Sequence, residues 1–295
     1  MNRGIILFKC SVFICILILW ASHTSAYVTC KTTGGKDIKW QTAAATYYIN
    51  TSGGPTGSID AIIAGMQTWT DVATSSFIFL YGGTTSSTAH GANDGINIVT
   101  FGILPVGTVG ENRSWYKTWP PAQEGDLLDS DIRLNTYYAW STTGASGAFD
   151  VQNIDTHEHG HSLCLEDLYS GVDSEKTMYG YASPGETKKQ TLNQDDIEGI
   201  SYLYACPNLP VRILGKSFEY SFIQDAYDAS VNNDIILSQA TVFPEDLFID
   251  DISNKSVTLI GGYDCDYSTI IGITSLQGYM AISNGILSIE NFDLQ

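Results

Sequence analysis

The stretch 155–167, Asp-Thr-His-Glu-His-Gly-His-Ser-Leu-Cys-Leu-Glu-Asp, constrains this chain more than any other. It contains His-Glu-x-x-His. Residues four apart share one face of a helix, so His157 and His161 can offer two imidazole nitrogens to a single zinc ion. Glu158 then sits beside the metal, placed to act as general base on a water molecule. A catalytic zinc takes three protein ligands and keeps a fourth position open. The other histidines are His23, His90 and His159, so no histidine follows the motif. Cys164 would share the face of an unbroken helix, but it would lie ~10 Å along the axis from His157 at ~1.5 Å per residue. Donors spread over that length cannot converge with bonds of ~2.0–2.3 Å. Either the helix turns back near Cys164, which swings Asp167 inward, or a remote segment supplies the third ligand. A glutamate such as Glu186 or Glu198 would then serve.

The chain around this stretch reads as an alternation of strands and helices. Residues 46–50, Thr-Tyr-Tyr-Ile-Asn, have the β-branched and aromatic enrichment of a strand. Ser58 is a candidate N-cap for a helix carrying Ile59, Ile62, Ile63, Met66 and Trp69 at helical spacing, a core-facing stripe. Residues 77–81 and 96–101 read as strands, separated by a polar Gly-Gly-Thr-Thr-Ser-Ser-Thr loop. Residues 131–135 read as the strand before the motif helix, and Asp150 is the expected N-cap of that helix. His159 falls on the opposite side of the helix from His157 and reads as a packing or solvent-facing residue. A last helix starts at Gln194 behind Asn193, with Asp195 and Asp196 in its first turn.

Three blocks in this order resemble the metzincin zinc peptidases, and among them the matrixin-like proteins. The first is 156–163, Thr-His-Glu-His-Gly-His-Ser-Leu. The second is 176–181, Lys-Thr-Met-Tyr-Gly-Tyr. The third is 192–200, Leu-Asn-Gln-Asp-Asp-Ile-Glu-Gly-Ile. The resemblance implies an α+β catalytic domain: a twisted mixed sheet, an active-site helix and a Met-turn. It implies His157, His161 and Asp167 as zinc ligands, Glu158 as the catalytic base and Met178 as the floor beneath the ligands. Tyr179 and Tyr181 would shape the pocket next to the scissile bond, and the Asp195–Asp196 pair would brace the Met-turn. The sequence departs from the pattern twice. The third ligand is Asp, as in some small secreted bacterial members of the clan. The turn position, usually Gly, is Cys164, and a residue with a Cβ adopts positive φ only at a cost of ~1–3 kcal/mol. Matrixins hold a second, structural zinc through histidines near position 90; with His90 alone there, that site is not expected.

Compartment follows from the first 26 residues. Arg3 and Lys9 precede an apolar run over 11–20, far short of the ~20 residues a membrane span needs, and Thr24-Ser25-Ala26 offers small residues for cleavage. Residues 1–26 therefore read as a signal peptide, and the protein as secreted, with no stable membrane span afterwards. Formal net charge is −18, and loss of Arg3 and Lys9 makes it −20. Such an excess repels phosphate, which argues against nucleic acid as partner. Asp126, Asp129 and Asp131, or Asp94 near Glu111, could hold Ca²⁺ through oxygen donors, with solvated acidic loops as the plainer reading. Cys10 and Cys15 leave with the signal. Of Cys30, Cys164, Cys206 and Cys265, the first expected bridge is Cys30–Cys206, tying the ends of the catalytic domain, with Cys164 unpaired.

Cys206-Pro-Asn-Leu-Pro marks a boundary, giving domains at 27–206 and 207–295. Beyond it, 222–229 reads as a short helix. Short β runs follow at 235–237, 257–260, 280–283 and 286–289, separated by turns such as Ser-Asn-Gly. This small all-β module resembles β-helix-like repeats of secreted bacterial proteins, about three coils deep, with a small β-sandwich as the rival. The functional expectation is a zinc-dependent endopeptidase acting on protein or peptide substrates. The alternative is a catalytically weak or inactive metzincin-fold binding or surface protein, and a third reading makes the C-terminal repeats the working part.

Overall fold

The computed structural model describes residues 27–250 and 254–294; the expected signal peptide lies outside them. Among the described residues, no helix is long and apolar enough to cross a membrane.

β1 (Ala44–Asn50) buries its alternate residues Ala45, Tyr47 and Ile49, the period of a half-buried strand. α1 (Ser58–Thr70) buries Ile62, Met66 and Trp69, while Ile59 and Ile63 pack at the margin. The N-cap position is Gly57 at φ 87°, not Ser58. Ser58 is the first helical residue, and its hydroxyl donates to Pro55 O. β2 (Ile78–Thr84), β3 (Asn97–Gly102), β4 (Gly110–Tyr116) and β5 (Leu127–Asn135) complete a five-stranded sheet in the order β2-β1-β3-β5-β4. The β1–β2, β1–β3 and β3–β5 pairs are parallel, and β4 runs antiparallel to β5 at the edge. A short parallel pair, β6 (Trp140–Ser141) with β7 (Phe149–Asp150), leads into α2 (Val151–Ser162). α3 (Gln194–Leu203) ends this part of the chain. One apolar cluster runs from Ile38 through Tyr204, joining α1, α2, the sheet and α3.

A second cluster, from Val211 to Leu276, forms the remainder. β8 (Val211–Ile213), β9 (Glu219–Tyr220) and α4 (Ile223–Ala229) precede three parallel stacks. β10 (Asp234–Gln239), β13 (Ser256–Tyr263) and β16 (Ile286–Glu290) form the first. β11 (Val242–Phe243), β14 (Thr274–Leu276) and β17 (Phe292–Leu294) form the second. β12 (Leu247–Asp250) lies on β15 (Met280–Asn284) in the third. The chain visits the stacks in rotation, and its inward residues Leu247, Ile249, Val257 and Leu259 are buried.

The disulfide joins Cys206 to Cys265, not to Cys30. Cys206 sits where α1 ends, and the loop bearing Cys265 docks at the same place, with its sulfur near Ala73 O and Ser75 O. The bridge therefore fastens the two clusters together. Cys30 and Cys164 are free, and their segments pair, Cys30 N donating to Cys164 O at 2.8 Å. The neighbouring Cys164 thiol, together with burial, pushes the Cys30 thiol up.

Candidate metal centre

α2 begins as its sequence dictates. Asp150 is extended, and its Oδ1 accepts from Asn153 N at 2.9 Å. The helix is unusually polar inside, with Asn153, Asp155, Thr156, His157, Glu158 and His159 all buried. His159 is fully enclosed, edge-on to the Tyr47 and Phe79 rings and 3.0 Å from Asp155 Oδ2. It is a packing residue.

The end of the helix decides the site. Leu165 N donates to Gly160 O and Cys164 N to His161 O, the paired bonds of a Schellman turn, and Cys164 takes φ 66° at the position glycine usually holds. The chain reverses there. His161 Nδ1 donates to Leu165 O at 2.8 Å, and His157 Nδ1 to Thr177 O at 2.7 Å. A carbonyl only accepts, so both Nδ1 atoms carry the proton and both Nε2 lone pairs stay available. Two residues past Leu165, Asp167 Oδ1 lies 3.2 Å from His157 Nε2 and 3.5 Å from His161 Nε2. Ligands in a tetrahedron with ~2.0–2.1 Å bonds stand about 3.3 Å apart, so these spacings match one small cation. Asp167 Oδ1 is also buried with no aligned donor, an acceptor waiting for a positive partner. The residues fit a zinc ion. Among the described residues, this trio is the group of three or more candidate ligands that converges on one point; Glu186 and Glu198 are not in it.

Electrostatics agree with the geometry. Burial works to raise the Asp167 carboxyl, but the two imidazoles beside it win and hold it far below the usual carboxylate range. Burial pushes His157 down to about 4, the neutral form a metal ligand needs. At His161 burial pulls the same way, but Asp167 outweighs it and lifts the imidazole to about 9. The carboxylate thus demands one positive charge beside it, either a proton or a cation. Burial pushes Glu158 up to about 7.

The trio and Glu158 line a cavity of about 550 Å³, whose other wall is β4 and the residues before it, 107–112 and Ser114. Glycine at 110 leaves room for Glu158, since a Cβ there would stand 2.5 Å from Glu158 Oε1 and displace that side chain. Met178 lies under the ligands, and a Cβ on Gly160 would meet its sulfur at 2.2 Å. Asp196 holds the Met178 turn by accepting from Thr177 N at 3.0 Å and Met178 N at 3.3 Å, and Asp195 pairs with Lys176 at 2.9 Å. Tyr181 lines the cavity; Tyr179 does not. His90 is bound in its loop, its Nε2 3.1 Å from Glu111 O. The acidic residues that could hold calcium make these contacts. Asp131 accepts from Gly91, Ala92 and Ile98 amides, and Asp129 from Asp94 and Gly95. Asp126 lies 3.7 Å from Lys117 Nζ.

Two contributors had no sequence signal. Tyr169 donates its hydroxyl to Asp167 Oδ2 at 2.8 Å, orienting the carboxylate. Lys189 reaches the cavity from the short turn Lys188–Gln190.

Residues 110–205 match the sequence profile of the family described as Matrixin. The chain is similar to Neutrophil collagenase of Homo sapiens, 30% identical over 95 residues, which is 32% of this chain and 19% of that protein. It is similar to Matrix metalloproteinase-18 of Xenopus laevis, 33% identical over 95 residues, again 32% and 19%. The chain thus spans about a fifth of the length of the curated relatives it matches. The matched segment holds the edge strand, the polar helix, Asp167, the Met178 turn and α3.

Proposed function

We propose that this protein is a secreted zinc endopeptidase, with residues 27–206 as the peptidase domain and 207–295 as a β-helix-like module. The observation that carries this reading is the convergence of His157 Nε2, His161 Nε2 and Asp167 Oδ1 beside the Glu158 carboxylate, in a cavity bordered by a strand with a free edge. A zinc ion held by those three atoms would supply Lewis acidity toward the scissile carbonyl and toward water.

The remaining work falls to the chain's own groups. Among the described residues β4 pairs only with β5, so its other edge offers amides and carbonyls to an extended substrate. Gly110 keeps the space beside Glu158 open for a peptide backbone. Glu158 takes a proton from the attacking water and passes it to the departing amine nitrogen. Its burial keeps its basicity near the working pH, where proton transfer in both directions is cheap. Thr177 O, Leu165 O and Tyr169 fix the orientation of the three ligands from behind.

The test is Glu158→Gln, which preserves shape and removes the base. The zinc-loaded variant should keep one metal per chain and lose about 10²–10⁴-fold or more in cleavage of an unfolded protein. Turnover at the wild-type rate would contradict the assignment.

A further inference from the structure

Lys189 is 1% exposed, yet it lines the same cavity as the metal trio. Taking an ammonium out of water costs several kcal/mol unless it is paired. Among the described residues, no carboxylate lies within ion-pair distance of its Nζ. Glu186, Glu158 and Asp167 act on it only from further away. Its hydrogen bonds are also incomplete. An ammonium has three donors. One goes to Tyr179 O. A second approaches His157 Nδ1 at 3.5 Å, but that nitrogen already donates to Thr177 O and has no lone pair to give. Lys189 therefore does not orient His157, and holding one carbonyl does not require a charge. The backbone is pinned so that the side chain cannot withdraw, with Lys189 N donating to Asn153 Oδ1 at 2.8 Å.

Position supplies the rest. The ammonium sits one imidazole ring away from the metal trio, on a cavity that Ile154, Tyr181 and Ala182 also line. Residues next to a peptide bond under attack have Cα atoms ~3.8 Å apart, so a flanking residue reaches into this part of the cavity. The protein as a whole carries −18 and repels acidic peptides at long range, which makes one desolvated cation inside the cleft a selective feature.

We propose that Lys189 receives a carboxylate carried by the substrate residue flanking the scissile bond. The carboxylate is either an Asp or Glu side chain or the free α-carboxylate of a terminal residue. A charge-assisted hydrogen bond in a dry pocket confers about tenfold or greater discrimination against a neutral isostere. The inference rests on the peptidase reading for its substrate, and it is tested so that the two can fail separately.

Binding is read first on the zinc-loaded full chain carrying Glu158→Gln, which holds a peptide without turning it over. Calorimetry compares peptides differing only by Glu against Gln, and by a free against an amidated C-terminus. One of these carboxylates should bind about tenfold tighter than its neutral counterpart, and which pair responds identifies the source. Adding Lys189→Met, close in volume, should erase the difference. Lys189→Gln should do the same while keeping a donor for Tyr179 O. Equal binding of acidic and neutral peptides, or a preference that survives both substitutions, overturns the proposal. Cleavage is read second, with Glu158 restored. Wild-type protein should favour the same carboxylate in kcat/KM, and Lys189→Glu should turn the preference toward Lys or Arg. Selective binding without any cleavage by the wild type would sink the peptidase reading and leave the carboxylate pocket standing.

Discussion

The surroundings of α2 and the stacked strands after residue 210 bury very different material. Around α2, the interior holds Asn153, Asp155, His157, Glu158, His159, Lys189, Asp195 and Asp196. Inside the stacks, it holds Val211, Ile236, Leu247, Ile249, Val257, Leu259 and Leu276, with few polar groups among them. Burying apolar surface stabilises by about 25 cal/mol per Å², whereas buried polar groups cost free energy unless each finds a partner. In the first region Asp167 Oδ1 is buried with no aligned donor, and the buried Asp155 has His159 as its charge partner. Cys164 at φ 66° adds backbone strain beside them. Left-handed backbone is not confined to that region, since Asn233, Asn254, Tyr267 and Asn291 also take positive φ in the second, so what marks the first region is its buried ionisable groups gathered around one cavity.

The contrast can be broken by substitution. Asp167→Ala should have the largest effect: metal content after dialysis should fall from one per chain to below about a tenth, because two ligands do not hold zinc against exchange. Retained metal would move the third ligand to another residue. In the second region, Leu259→Ala should cost about 3 kcal/mol by opening a cavity in a core position with 0% exposure. Metal content and cleavage should stay at wild-type levels, and hydrogen exchange should place the loosening in β10, β13 and β16. Spread of the loosening to α2 would show the two cores to be one cooperative unit, coupled through Cys206–Cys265.

A smaller loss, about 2 kcal/mol, is expected of Asp196→Ala, which strands the buried amides of Thr177 and Met178. Unlike the leucine change, it should also lower kcat/KM, since Thr177 O orients His157. The smallest effect is on pH dependence. Burial raises the Glu158 carboxyl to about 7, above the unfolded value of ~4.3. Between those pH values, the metal-free fold binds more protons than the unfolded chain. This contribution to stability is present at the acid end and is lost as pH rises through about 7. Denaturant titrations of the metal-free proteins should show stability falling more steeply with pH across that window in the wild type than in Glu158→Gln, which keeps the opposing contribution of His157. For cleavage the sign reverses, because the base must be ionised. A cation at the trio favours ionisation, so the acid limb of kcat/KM should lie at or below about pH 7.

What the sequence made legible is what local geometry dictates. A four-residue spacing, an Asp before a helix and a reversal after the second imidazole are short-range facts, and the structure brings His157, His161 and Asp167 together as that reasoning expects. The same holds for the α1 stripe, whereas an acidic brace for the Met178 turn followed only from the resemblance, the spacing itself being equally consistent with an acidic first turn that complements the helix dipole. The disulfide was out of reach because it depends on which loop docks beside Ala73, a tertiary matter. Reading Cys30 and Cys206 as the two ends of a domain picked the wrong partner. Lys189 was hidden for a related reason: two adjacent lysines among polar residues have the signature of a solvated turn, and only the Asn153 contact draws one of them inside.

The most direct test of the metal assignment is zinc-edge X-ray absorption on the zinc-loaded protein. Cys164 and Cys30 line the same cavity as the trio, so sulfur is available to compete. The account predicts only nitrogen and oxygen neighbours at about 2.0–2.1 Å, two of them with imidazole scattering, and loss of the bound signal in Asp167→Ala. A zinc–sulfur shell at about 2.3 Å would contradict it.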